Sequence, residues 1–338
     1  MILSICIPTY NRAKNLKYCL DSIVESSNLL DFLEVEICIS DNCSDDETPT
    51  IIKDYSKILK IKYMRLSSNN GRVRNYINVV KMAVGEFIWL LGDDDLLLKG
   101  SIEHVYELLV SKPNIDFFYI NSSHLSSDKL LDDSLLRRIK NRENLLERFS
   151  KYKYTGELPF MELIDYEKSF DFLGGMFLAV FRKKLWDQNI SNLDLIKACD
   201  MNEFSSLDNT FPHLKIFAAA FFKSKAFFES IPQSITVTGV REWAPLYPVV
   251  RSIRTQELLE EYRYYGLSFQ KYYSCRNKSL EFFAPDLLRI LICRKKYPYL
   301  NINYIKIILK NLIYPNMYLS IINSLMRLYF KIYKYINI

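Results

Sequence analysis

The first hundred residues alternate between short apolar runs and amphipathic segments, and that alternation constrains the fold more than any other feature of the chain. "ILSICIPTY" is apolar and β-branched as far as Pro8 and then turns polar, the pattern of a buried strand. "NRAKNLKYCLDSIVES" follows, with Leu16, Cys19, Leu20 and Ile23 on one helical face. The cycle repeats in "LEVEICISDN" and "SDDETPTIIKDYSKIL", in "IKYMRLS" and "VRNYINVVKMAVG", and ends on "EFIWLLGDDD". Strands alternating with helices at this spacing predict βαβ units and an α/β fold with a mostly parallel sheet.

In such sheets ligands bind beyond the carboxyl ends of the strands. The groups that follow each strand here are Thr9–Arg12, Ser40–Ser44, Ser67–Gly71 and Asp93–Asp95, so all four polar clusters fall at one edge. A solvated turn accounts for one acidic cluster, but not for four polar strand ends together with three adjacent carboxylates. Asp93, Asp94 and Asp95 repel one another and offer hard oxygen ligands, suited to Mg²⁺ or Mn²⁺ shared with a diphosphate. Such a cation neutralises charge on a leaving pyrophosphate.

The remainder is less regular. Residues 128–155 are charged and helical in pattern, and read as a solvated face or flap. "GGMFLAVFRKKLW" predicts a strand, "FPHLKIFAAAFFKSKAFFES" a helix with Pro212 in its first turn, and "SITVTGVREW" a further strand and loop. A chain of 338 residues, 49% apolar, has the material for one large core and an appendage. Its seven Cys lack CxxC or Cys/His spacing, which argues against a zinc site and for a reducing compartment. Met1 leads at once into a strand-like run, so no signal peptide is expected.

Charge is unevenly spread. Nine Lys and Arg and no Asp or Glu follow Asp286, which leaves the preceding body slightly acidic within a net charge of +6. That balance argues against nucleic acid as a partner and gives the tail an anionic partner of its own. From Ser320 to Lys334 the polar residues Ser320, Asn323, Ser324, Arg327, Lys331 and Lys334 form one narrow stripe opposite a wide apolar face. The longest uncharged stretch, Asn311 to Met326, has 16 residues, short of the roughly 20 apolar residues that cross a bilayer. The expected arrangement is a helix lying in an anionic membrane surface, the competing one a helix docked on the core.

"SICIPTYNR", "ICISDNCSDDET", "NNGRVRN" and "AVGEFIWLLGDDDLL" resemble, in order and spacing, the motifs of glycosyltransferase family 2, and within it the abequosyltransferase-like enzymes of bacterial surface-polysaccharide assembly. The resemblance is strong over residues 2–110 and loose over 170–245. It implies a GT-A fold, a Rossmann-like, mostly parallel sheet flanked by helices. The domain would occupy residues 1–250, with 1–110 as the nucleotide-binding half and 111–250 as the acceptor half. A helical, basic-amphipathic extension would take residues 251–338. It further implies transfer of a sugar from a UDP-, CDP- or GDP-linked donor to a glycan or lipid-linked acceptor, with Mg²⁺ or Mn²⁺. Attachment to the inner face of the cytoplasmic membrane would bring the enzyme to such an acceptor.

By this resemblance Pro8, Thr9 and Tyr10 form the first-strand loop packing on the base, with Arg12 beside it, and Asp41 accepts from the base. Asn69, Gly71 and Asn75 line the nucleotide site. Asp94, Asp93 and Asp95 stand at the metal-binding DXD signature, although its usual first Asp is Gly92 here. The family's Glu-Asp pair, whose carboxylate deprotonates the acceptor, is missing. Its place falls near His213, with Asp208 just before it, and an imidazole of ordinary pKa near 6.5 is able to act as that base. Arg241, followed by Glu242 and Trp243, is placed to hold the diphosphate. A sugar-phosphate nucleotidyltransferase shares this architecture, but "PTYNRAKN" lacks the Gly-rich basic loop of that class. The missing Glu-Asp pair keeps open a non-catalytic carbohydrate-binding role. Donor sugar, linkage and oligomeric state are not readable from the sequence.

Overall fold

The computed structural model describes residues 1–26, 34–126, 146–238, 244–300 and 302–336. Its strands are β1 (Leu3–Thr9), β2 (Val35–Asp41), β3 (Ile61–Arg65), β4 (Phe87–Leu90), β5 (Asp95–Leu97), β6 (Phe117–Ser126), β7 (Glu147–Arg148), β8 (Gly156–Pro159), β9 (Ala179–Arg182) and β10 (Lys225–Thr238). They form one mixed sheet in the order β3-β2-β1-β4-β9-β6-β10-β5, with β7 beside β6 and β8 beside β10.

The N-terminal part is the parallel β3-β2-β1-β4 unit that the alternation predicts. β1, β2 and β4 are buried along their whole length, which is why they read as continuous apolar runs rather than alternating ones. β3 lies at the edge and exposes Lys62, Tyr63 and Arg65, charges that discourage further pairing. Helix α1 (Ala13–Ser26) buries Leu16, Cys19, Leu20 and Ile23 as its periodicity requires. Helix α2 (Thr48–Tyr55) packs on α1, and helix α3 (Arg72–Met82) lays Val73, Ile77 and Val80 on β1 and β2. Gly85 closes the connection into β4 at a point where a Cβ would stand 2.5 Å from Ser4 Oγ and 2.7 Å from its backbone nitrogen. Only glycine fits there.

β9 runs antiparallel to both β4 and β6 and joins the two halves of the sheet. Trp89 of β4 is fully buried, and its indole N–H donates to the Phe177 carbonyl at 3.0 Å. Beneath β6 and β9, Phe117 meets Phe160, Phe217 and Phe221 edge-on at 4.9, 5.1 and 5.3 Å. The strand expected in "GGMFLAVFRKKLW" is only Ala179–Arg182, because Met176–Leu178 form a 3₁₀ turn and Lys183 opens a helix. The helix expected over "FPHLKIFAAAFFKSKAFFES" ends at Phe221, and Lys225 begins β10. A dense run of Phe and Ala satisfies either period, and pairing to β6 and β8 decides it.

The chain is helical from Tyr247 to Tyr264, with a π-helical turn at Val250–Arg254. The position expected to divide the domains, 250/251, falls inside this stretch. Leu258, Leu259 and Tyr262 belong to the same core as the N-terminal strands. The π turn presents Arg251 and Ser252 together to the buried Asp286: Arg251 donates at 2.9 and 2.7 Å and Ser252 Oγ at 2.5 Å. Helices Phe269–Ser279, Phe283–Cys293, Tyr304–Asn311 and Pro315–Ile336 complete the chain.

Candidate active site

The four polar strand ends meet in space, stitched by their own side chains. Asn75, buried on α3, donates to the Thr9 carbonyl at 3.1 Å and the Ser40 carbonyl at 3.0 Å, and accepts from Ser40 Oγ at 2.6 Å. One amide thereby fixes the ends of β1 and β2. Asn11, at a positive φ of 51°, donates its backbone N–H to Ser44 Oγ at 2.8 Å and accepts from the Asp45 N–H at 2.9 Å. Asn42 joins the third loop by donating to Asn69 Oδ1 at 2.8 Å, the atom that also accepts from Gly71 N. Gly71, at φ +83°, turns the chain into α3. Pro8 is buried in β1, two residues past Cys6, the last to pair with β4, so its missing N–H costs no ladder bond. Tyr10 is 40% exposed and overlooks the crevice edge.

Asp41 is fully buried and both its oxygens are engaged, one by Ser44 N at 2.8 Å and the other by the Tyr63 hydroxyl at 2.9 Å, with Arg65 Nε at 3.5 Å. The Tyr63 hydroxyl is raised by burial first and by Asp41 second, so it remains a donor at neutral pH. Asp41 is thus tied to the loop after β2 and to β3.

The three carboxylates have three environments. Asp93 is buried; its Oδ2 accepts from Thr9 Oγ1 at 2.8 Å and its Oδ1 lies 3.2 Å from Arg12 Nη1. Asp94 accepts from Arg12 Nη2 at 2.9 Å and its side chain is 27% exposed. Asp95 opens β5, a strand absent from the sequence reading, and turns inward to accept the Gly92 N–H at 2.9 Å. A Cβ at Gly92 would stand 2.9 Å from both Asp94 Oδ1 and Asp95 Oδ2, which accounts for glycine where the family form has Asp. Burial pushes the Asp93 carboxyl up to about 7, against the lowering by Arg12, while Asp94 raises it further. Among the described residues no three His, Cys, Asp or Glu side chains form a ready metal cage.

The two catalytic candidates are held differently. Asp208 is buried, its Oδ1 accepting from Asp194 N and from Lys215 Nζ, both at 2.8 Å. His213 is 4% exposed and packs on Phe217; its ring nitrogens lie near the backbone of Leu173 and Gly174 without a well-formed hydrogen bond. Burial is the main cause that lowers its pKa to about 4, so the imidazole is neutral at pH 7. Phe172 and Leu173 beside it adopt consecutive positive φ values of 54° and 72°, strain of order 1–3 kcal/mol per residue that Asp171 helps to hold by accepting from Ser169 Oγ and Gly175 N. Arg241 lies outside the described residues.

Two residues that sequence reasoning passed over belong to the site. Arg72 and Tyr76 stand one helical turn apart on α3, and Tyr76 lies within electrostatic reach of Arg72, Arg12, Asp93 and Asp94. Arg72 donates to the Asn209 carbonyl at 3.1 Å and covers the Phe204 ring. Their i, i+4 spacing in "RVRNYIN" was the available signal.

A profile of the family described as glycosyl transferase family 2 matches residues 4–177, more than half of the chain. The chain belongs to that family. It is 39% identical over 117 residues to the abequosyltransferase RfbV of Salmonella typhimurium, a match covering 34% of each chain. It is 32% identical over 120 residues to a Campylobacter jejuni GalNAc(5)-diNAcBac-PP-undecaprenol beta-1,3-glucosyltransferase, covering 35% of this chain and 36% of that one. The matched segment thus spans about a third of these relatives' length. The crystal structure of Staphylococcus aureus TarS 1–349 in complex with UDP superposes with a TM-score of 0.54 at 16% identity, over 90% of this chain and 76% of that chain. That likeness establishes the shared GT-A fold.

The buried imidazole sets a pH dependence of stability. His213 titrates near 6.5 when unfolded and near 4 when folded, so between these values the unfolded chain binds the extra proton and stability falls as pH drops. From pH 7.5 to 5.0 wild type should lose about 2 kcal/mol more than His213→Gln in urea unfolding. Equal losses in the two proteins would show that the imidazole is not depressed.

Proposed function

We propose that this chain is a metal-dependent glycosyltransferase. It moves a sugar from a UDP-, CDP- or GDP-linked donor to a glycan or lipid-linked acceptor during assembly of a bacterial surface polysaccharide such as O-antigen, capsule or lipooligosaccharide. The observation that carries this reading is the Asp93–Asp94 pair at the end of a parallel strand, facing Thr9 and Arg12 across the crevice where four polar loops converge. The names of two relatives, an abequosyltransferase and a glucosyltransferase acting on an undecaprenol-linked glycan, support the substrate classes.

The donor set suits Mg²⁺ or Mn²⁺: two carboxylates with hard oxygens, one of them partly exposed, with a diphosphate to supply further oxygens. When bound, the ion supplies Lewis-acid stabilisation of the departing nucleoside diphosphate. Asp94 and Asp93 hold it, while Asp95 is committed to the turn. Thr9 and Tyr10 border the base, and Asn69, Gly71 and Asn75 set the wall that α3 forms. Of the two base candidates, Asp208 already serves Lys215 and Asp194, whereas His213 is neutral with ring nitrogens free of such commitments. His213 takes the acceptor proton in this reading, with Asp208 holding the loop before it.

The C-terminal helices support membrane attachment by how they pack. Helix Phe283–Cys293 buries Asp286 and leaves Ile292 73% exposed. Helix Tyr304–Asn311 buries Asn311, which accepts from Arg276 at 3.0 Å, and leaves Ile305 73% exposed. Helix Pro315–Ile336 turns Ser320 inward to accept the Ala284 N–H at 3.1 Å, while Leu325 is 62% exposed. Beside buried apolar groups such as Phe283, Ile290 and Met317, these helices turn Asp286, Asn311 and Ser320 inward and leave several large apolar side chains exposed. Exposed Arg294, Lys295, Lys296, Lys306 and Arg327 rim this surface; the side chains of Lys331 and Lys334 lie outside the described residues. Among the described residues no helix is long and apolar enough to cross a membrane. An anionic bilayer surface matches both the apolar face and the basic rim, each well-placed Lys or Arg adding about 1 kcal/mol.

Asp94→Asn keeps the shape of the site and removes one charge. It should cut metal-stimulated transfer, or donor hydrolysis, by at least about 100-fold while leaving the melting temperature near that of wild type. Near-wild-type turnover at limiting Mn²⁺ would remove the metal from this site. For the membrane, wild type should float with phosphatidylglycerol vesicles, and the double substitution Ile322→Glu with Leu325→Glu should stay in solution with unchanged donor hydrolysis. A wild type that ignores vesicles, or a variant that floats equally well, counts against attachment.

A further inference from the structure

Arg12 occupies the place where the cation of the donor site belongs. Its guanidinium spans both carboxylates, with Nη1 3.2 Å from Asp93 Oδ1 and Nη2 2.9 Å from Asp94 Oδ2. One fork therefore neutralises two acids, one of them buried and helped also by the Thr9 hydroxyl. The arginine itself is not buried: its side chain is 46% exposed and stands in the loop between β1 and α1, where its backbone carbonyl accepts from the Leu16 N–H. It has the freedom to leave. Two positive centres within a few ångströms of each other repel strongly in a partly desolvated crevice, so a divalent ion and this guanidinium do not share the pair.

We propose that Arg12 is a resident counter-ion that keeps divalent metal off Asp93 and Asp94 until the donor's diphosphate draws the guanidinium away. This rests on the donor-site reading above. A diphosphate offers the same bidentate geometry as a pair of carboxylates, and a planar fork transfers between them without losing hydrogen bonds. Withdrawal of Arg12 frees the two carboxylates at the moment when phosphate oxygens arrive to complete a metal's coordination. Donor and metal then bind with positive coupling, each removing the obstacle to the other. Tyr76 on α3 remains as another polar group within electrostatic reach of the cluster. The site is thereby protected from taking up metal without substrate.

The test is Mn²⁺ titration, followed by electron paramagnetic resonance, of the full chain as wild type, Arg12→Ala and Arg12→Lys, alone and with UDP, CDP or GDP. Without nucleotide, Arg12→Ala should bind Mn²⁺ about tenfold more tightly than wild type, with Arg12→Lys between them. A nucleoside diphosphate that binds should tighten Mn²⁺ strongly in wild type and little in Arg12→Ala. Nucleotide-free Mn²⁺ affinity no tighter in Arg12→Ala than in wild type, with unchanged melting temperature, overturns the proposal. The donor-site reading fails on a separate observation, namely that none of the three nucleotides shifts the melting temperature of wild type.

Discussion

Negative charge placed at the end of a buried strand has to be compensated, and the whole crevice is organised around that requirement. Asp93 ends up in a low-dielectric position where an unpartnered carboxylate would be costly, so Thr9 and Arg12 from the neighbouring strand end are drawn onto it. That pairing fixes the loop after β1 relative to the loop after β4. Asn75 then fixes β1 to β2, and Asn42 and Asn69 extend the same fabric to the third loop. Several of these polar side chains are satisfied by another strand end rather than by their own segment. The result is a set of four loops tied together at one edge of the sheet, with the Arg12 side chain partly exposed among them.

The same logic runs in reverse at the other end of the chain. Asp286, Asn311 and Ser320 are drawn inward by Arg251, Ser252, Arg276 and the Ala284 N–H, and the helices that carry them leave Ile292, Ile305 and Leu325 exposed. A hydrophobic face left in this way demands a non-aqueous neighbour. Basic residues around it favour an anionic one, and a lipid-linked acceptor would be found at such a surface.

Much of this was legible in the sequence, and the exceptions are physical. The parallel β3-β2-β1-β4 unit followed from alternating periods, and the shared edge followed from the polar residue after each strand. The fate of each Asp did not, because three identical side chains in a row carry no record of which backbone N–H or hydroxyl will claim them. Asp41 reads as a ligand of the base, yet Tyr63 and Ser44 already take both its oxygens, and a partner 22 residues away is invisible to local reasoning. The end of β10, in "SITVTGVREW", read as a strand, but its start at Lys225 was hidden in a Phe-rich run compatible with helix or strand, which only long-range pairing to β6 resolves. In the last helix Ser320 is buried and accepts the Ala284 N–H, while Asn323 and Arg327 of the same stripe are exposed, a division that no periodicity reports.

Anomalous diffraction from crystals of the full chain grown with Mn²⁺ and a nucleoside diphosphate tests the central claim most directly. The account predicts a manganese peak between Asp94 and the diphosphate, at the carboxyl ends of β1 and β4, with Arg12 withdrawn from the acidic pair. A nucleotide bound away from this edge, with Arg12 still spanning Asp93 and Asp94 and no manganese beside them, would contradict it.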